Sequence, residues 1–167
     1  MHTSEDVQFI IHLGSNLNIW QDVSVTKIKV EQHKRTIVYR CHNYTENRYF
    51  VEFPTLNFYI LNSQNRLYKP YVYVCTEDIH VPLIENISGG GYICFGQDAH
   101  IITKHIHEKQ YIKVLNYFFT SVFSYSYFSQ SDTEKFIENL KNGLIFETRC
   151  VFNKKITADN INITILD

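Results

Sequence analysis

The chain's 167 residues and 19.8 kDa fit one domain large enough to bury a core without disulfide or metal staples. Hydrophobic residues at 44% and charged residues at 20% exclude a disordered chain, and no apolar run approaches the roughly 18 residues that a membrane helix requires. Sixteen Lys and Arg against seventeen Asp and Glu leave a formal charge of −1, which argues against a protein built to neutralise a phosphate backbone, so neither nucleic acid nor membrane is an expected partner.

Twelve Tyr, twelve Phe and one Trp, together with abundant Ile and Val, favour strands and predict a β-rich α+β domain. Residues 7–13, 23–30, 36–41, 48–53 and 56–61 each carry β-branched or aromatic runs, several of them alternating. The polar turns 31–34, 43–47 and 62–65 are short enough to join sequential strands as hairpins, which predicts an antiparallel meander packed against helices. Residues 67–75 add a strand that Pro70 breaks or pushes to an edge. Half of the six glycines then fall in one loop, Gly89-Gly90-Gly91. Beyond it, the spacing of Tyr111, Ile112, Val114, Leu115, Phe118 and Phe119 predicts a helix over 107–119. Ser131-Asp132-Thr133-Glu134 has the form of a capping box, opening a second helix through Phe136, Ile137 and Leu140 that Gly143 terminates. Residues 144–152 and 161–166 read as late strands or extended segments, and nothing divides residues 1–167 into more than one domain.

Cys41, Cys75, Cys94 and Cys150 form no Cys-x-x-Cys pair, and the N-terminus carries no secretory signal, which predicts a reducing cytoplasm. The sequons at Asn43, Asn86 and Asn162 are read as chance matches in an Asn-rich chain. A free cysteine is ordinarily a small buried hydrophobe, and Cys41, Cys75 and Cys150, each in a strand-like run, are read that way. Cys94 differs, because a glycine loop can bring backbone close to its thiol and Asn86, eight positions earlier, can sit across the loop as an oxyanion donor.

The stretch Asn86-Ile87-Ser88-Gly89-Gly90-Gly91-Tyr92-Ile93-Cys94-Phe95 resembles the active-site segment of ubiquitin-conjugating enzymes. In that family Asn-Ile is followed by three variable residues, then Gly, one residue, Ile, the catalytic Cys and Leu. Phe53-Pro54-Thr55-Leu56-Asn57-Phe58 looks like the family's proline strand. Ile84-Glu85 stands where the family has His-Pro, the stretch from Phe58 to Asn86 is longer, and the N-terminus reads as strands in place of a helix. The wider pattern adds Leu67-Tyr68, Pro82-Leu83, Gly96, Phe119, Ser121 and Phe123, and is similar to the PRTRC system protein B group of bacteria, a prokaryotic ubiquitin-conjugating-like group. The resemblance covers residues 48–128 and leaves 1–47 and 129–167 unassigned. It implies a carrier in which Cys94 accepts a ubiquitin-like protein as a thioester from an activating-enzyme-like protein and passes it to an amine, with no cofactor. Asn86 then steadies the oxyanion or only shapes its loop. His80, Glu85, Asp98 and His100 are the candidate bases for the amine, with Glu85 best placed beside Asn86.

Other readings stand beside this one. The first is a conjugating-fold binding module without chemistry, docking a ubiquitin-like protein or a larger assembly through aromatics of the run 117–128. The second is a metal site from His100, His105, His107 and Cys94. If His105 and His107 open a helix they point about 200° apart, so solvated or capping histidines are the preferred reading and no metal is expected. Base stacking on sheet aromatics is opposed by the near-neutral charge, and Lys27, Lys29, Lys34 and Arg35 read as an ordinary solvated hairpin.

Overall fold

The structure, a computed structural model, describes residues 9–13, 24–41, 43–62, 70–75, 79–89, 91–124, 128–145 and 148–152. The five early runs become β1 (Phe9–Leu13), β2 (Ser24–Val30), β3 (His33–Arg40), β4 (Glu46–Phe53) and β5 (Leu56–Asn62). They follow a sequential meander only in part: β1 pairs with β2, and β3 with β4 across the expected turn at 43–47, but β2 does not pair with β3. β2 pairs with β5 and β3 with β4, in one unbroken register: Ser24 faces Asn62, Val30 faces Leu56, His33 faces Phe53 and Arg40 faces Glu46. These strands are therefore the two arms of one long antiparallel ribbon, interrupted only at 31–32 and 54–55. Pro54 lacks the N–H that a continuous ladder needs there, and the Gln32 amide donates instead to Thr55 Oγ1 at 3.2 Å. Only residues 31–32 of the turn expected at 31–34 fall in this interruption; His33 and Lys34 are already paired in β3.

β6 (Tyr71–Cys75), β7 (Ile79–Pro82), β8 (Val122–Ser124) and β9 (Thr148–Phe152) complete the strands. The lower half of the ribbon belongs to a six-stranded sheet ordered β1-β2-β5-β6-β7-β9, antiparallel throughout. The upper half belongs to a three-stranded sheet, β4-β3-β8, made mixed by the parallel pairing of β3 with β8. Residues 56–61 of β5 are buried on both faces, as suits a central strand. β6 also lies inside the sheet and not at an edge, because Pro70 precedes the strand and its missing donor costs the ladder nothing. The expected strand 161–166 lies outside the described residues.

Three helices follow: α1 (Ala99–His107), α2 (Tyr111–Thr120) and α3 (Gln130–Asn142). The apolar spacing did place α2, with Val114, Leu115, Phe118 and Phe119 buried, but the expected start at residue 107 is the end of a separate helix. Lys109, at φ +58°, turns the chain between the two, and the Gln110 amide closes α1 on the His105 carbonyl at 2.8 Å. α3 is capped two residues ahead of the expected box, since Ser129 Oγ accepts from the Asp132 amide at 3.2 Å. Its end is as expected. Gly143 adopts φ +74°, and the Leu144 amide reaches back to Asn139 at 3.0 Å. A Cβ on Gly143 would also stand 3.3 Å from the Phe50 carbonyl oxygen. Gly143→Ala is expected to lower the unfolding free energy by about 1–2 kcal/mol, read from the urea midpoint at unchanged m-value.

The aromatic run around α2 is largely core. Phe118, Phe119 and Phe123 are fully buried: Phe119 packs edge-on with Phe53 and Phe58, Phe118 with Phe58 and Phe123, while Phe128 packs on Phe136; Tyr125 and Tyr127 lie outside the described residues. Arg35 does not belong to a solvated cluster: it is 6% exposed, with its guanidinium 4.3 Å from the centre of the Phe119 ring. Alternation along β3 puts His33, Arg35, Ile37 and Tyr39 on the buried face, and His33 stacks on Phe53. Among the described residues, no helix is long and apolar enough to cross a membrane.

Candidate functional site

Residues 86–94 form a small hairpin of their own. The Cys94 amide donates to the Asn86 carbonyl at 2.8 Å, Ile87 faces Ile93, and the Ser88 amide donates to the Tyr92 carbonyl at 2.9 Å. The turn is closed by the Gly91 amide on the Ser88 carbonyl and the Tyr92 amide on Ser88 Oγ, with Gly91 at φ +92°, a conformation that glycine adopts without strain. Ile87 and Ile93 are buried, and the Val72 amide and Pro70 carbonyl bond Gly91 and Ile93, so the start of β6 holds the hairpin in place. Asn86 and Cys94 are thus cross-strand partners, and hydrophobic anchoring one residue away fixes where the thiol stands.

Asn86 is a positive-φ residue (+69°), which asparagine tolerates better than most side chains. Its amide clamps the hairpin to β8: Nδ2 donates to the Val122 carbonyl at 3.1 Å, and Oδ1 accepts from the Ser124 amide at 3.3 Å. Glu85, its neighbour, is fully buried and is not part of the cleft wall that contains Cys94. Its carboxylate bears instead on Tyr39, whose hydroxyl is pushed up to about 12, chiefly by burial and then by Glu85, Cys41 and Tyr49. The expected position beside Asn86 is correct in sequence, but Glu85 lies in a turn within the buried stretch 81–85 and off the wall of the cleft.

An open cleft of about 640 Å³ carries Asn86, Cys94, Phe95, Asp98, Tyr117 and Ser124 on its walls. Cys94 is half-buried there. Across from the hairpin, α2 contributes Tyr117, whose hydroxyl donates to Asp98 Oδ2 and whose ring meets the Phe95 ring edge-on at 5.9 Å. That hydrogen bond, followed by burial and the charge of Asp98, pushes the Tyr117 hydroxyl up to about 12. Among the described residues, Asp98 is the only charged side chain in the cleft wall. A thiol, an amide and a carboxylate around one open space suit acyl transfer at sulfur with a nearby proton acceptor.

The two displaced tyrosines give a pH signature. In the folded state both hold their protons to about 12, above the ordinary 10.0, so between those values the unfolded chain has released protons that the folded chain keeps. Their contribution is complete below about pH 10 and is lost as pH rises through about 12. Urea midpoints measured from pH 9 to 12 are expected to fall across that window, and less steeply in Tyr39→Phe and Tyr117→Phe.

The remaining candidates lie elsewhere. His80 is half-buried on β7, away from the cleft wall, and His100 is exposed on α1, with Nδ1 donating to the Gln97 carbonyl at 3.0 Å. His105 and His107 sit in the last turn of α1, not at a helix start, and His105 meets Gln110. No three His, Cys, Asp or Glu side chains converge among the described residues. Cys41 follows the end of β3, half-buried against the core, and its thiol donates to Asn43 Oδ1 at 2.7 Å. Cys75 and Cys150 fall in β6 and β9, and their side chains lie outside the described residues. Tyr117 is the site residue that sequence reading missed, because it sits inside an aromatic run and nothing in its spacing from Asp98 marks the pair.

Comparison with protein-family models, curated proteins and solved structures finds no match to this chain. Assignment therefore rests on the residues and their geometry.

Proposed function

We propose that the protein is a carrier for a ubiquitin-like protein, resembling the prokaryotic ubiquitin-conjugating-like group, with Cys94 as the thioester-forming residue. The observation that carries this reading is the position of Cys94: half-buried in the wall of an open cleft, and fixed by its backbone bond to Asn86 on the hairpin whose residues carry the family motif. In loading, the Cys94 thiolate attacks the thioester carbonyl of an activated C-terminal glycine, and the thiol of the activating-enzyme-like donor departs. Asn86 shapes the hairpin, and its Nδ2 has a second hydrogen to offer the tetrahedral oxyanion. The α+β architecture supports a conjugating-enzyme-like fold, although its ribbon is shared between two sheets.

One observation favours the second reading, a binding module that does no chemistry: both ends of the Asn86 amide already bond β8, as they would in a purely structural clamp. A peptide thioester ending in Gly-Gly separates the two readings. A carrier acquires the acyl mass on Cys94, and excess thiol reverses it; a binding module leaves the intact mass unchanged.

A further inference from the structure

Asp98 occupies the N-cap position of α1, where an aspartate ordinarily accepts a hydrogen bond from an amide of the first helical turn. Here its side chain makes no capping bond. It is turned instead to Tyr117 on α2, which bonds Oδ2, and among the described residues Oδ1 has no hydrogen-bond partner. The same tyrosine ring packs on Phe95, the residue after Cys94, so one side chain fixes both flanks of the single turn Gly96–Asp98 that leads from the thiol to α1. The thiol and the carboxylate then share one cleft wall, with no other described charge there. The turn Gly96–Asp98 runs directly into α1, with the Ala99 amide bonded to the Gly96 carbonyl, so the carboxylate is left to the cleft wall.

Resting on the reading of Cys94 as a thioester carrier, we propose that Asp98 is the proton acceptor for the incoming amine and that Tyr117 is the positioning residue that holds the Asp98 carboxylate on the cleft. In the transfer step the amine nitrogen bonds the thioester carbonyl carbon. The carbon–sulfur bond breaks with its electron pair on Cys94 Sγ, and the proton shed by nitrogen passes to Asp98 and then to water. This assignment gives the base role to a residue four positions after the thiol, in place of the buried Glu85.

The test uses the full chain loaded with the Gly-Gly peptide thioester and compares two acceptors, Nα-acetyl-lysine amide and hydroxylamine. Hydroxylamine is nucleophilic without a base, so the ratio of the two transfer rates isolates proton removal from loading and folding. Asp98→Asn is expected to lower that ratio by about 10²-fold. Tyr117→Phe, which keeps the ring on Phe95, is expected to lower it by about tenfold, and the double variant no further than Asp98→Asn alone. A general loss of loop structure would depress both acceptors and leave the ratio unchanged. Normal loading with an unchanged ratio in Asp98→Asn overturns this inference and leaves the carrier reading intact. Wild-type protein that does not load overturns both.

Discussion

Cys94→Ala is expected to abolish acyl loading, reducing the adduct formed with a Gly-Gly peptide thioester by about three orders of magnitude or more, since removal of a covalent nucleophile leaves only binding effects. The informative control is Cys41→Ala. Both thiols are half-buried, so exposure alone does not distinguish them. What differs is surroundings: Cys41 donates to Asn43 at a hairpin tip, while Cys94 opens on a cleft with a carboxylate and an amide beside it. Cys41→Ala should therefore load as the wild type does. Intact-mass spectra decide the matter, and persistent loading of Cys94→Ala would remove Cys94 from the chemistry.

Phe119→Ala is expected to cost about 3–5 kcal/mol, a large share of the 5–15 kcal/mol that holds a domain of this kind together. The ring is 1% exposed and packs edge-on against His33, Phe53, Phe58 and Phe118. It therefore bonds α2 to the ribbon just where the ribbon passes from one sheet to the other. Its face also covers the Arg35 guanidinium, so truncation removes a cation–π partner from a buried charge as well as leaving a cavity. Phe119→Leu retains much of the volume and should cost clearly less. Urea unfolding of the two variants gives both values, and a loss below about 1 kcal/mol for Phe119→Ala would mean that the surrounding rings collapse into the space.

Strand positions were legible from their β-branched and aromatic runs, although β3 begins at His33, three residues before the expected start, because the polar His33-Lys34-Arg35 hides an alternating inward face. Pairing was legible only in part: the turn at 43–47 joins β3 to β4 as expected. The turn-like Glu31-Gln32 suggested a hairpin between β2 and β3, whereas the partner of β2 is β5, and only the shared register across Pro54 reveals the continuous ribbon. The end of α3 at Gly143 could be read because a left-handed residue favours glycine; the break at Lys109 could not, because a lysine at positive φ leaves no trace in sequence. At the site, the glycine loop made it legible that Asn86 could stand across from Cys94, but not that the two are joined as a hairpin. The burial of Glu85 and the meeting of Asp98 with Tyr117 depend on tertiary packing, for which local spacing carries no signal.

The continuous ribbon also ties the alignment of both sheets to one turn. Its tip is a local structure, closed by the Cys41 amide on the Thr45 carbonyl and the Tyr44 amide on the Cys41 carbonyl. From there one register runs through β3–β4, across the interruption and down β2–β5. An inserted residue in a single arm near the tip would displace every later pair and turn a buried face outward, so errors of synthesis or design at 41–45 propagate much farther than errors of the same size elsewhere on the surface.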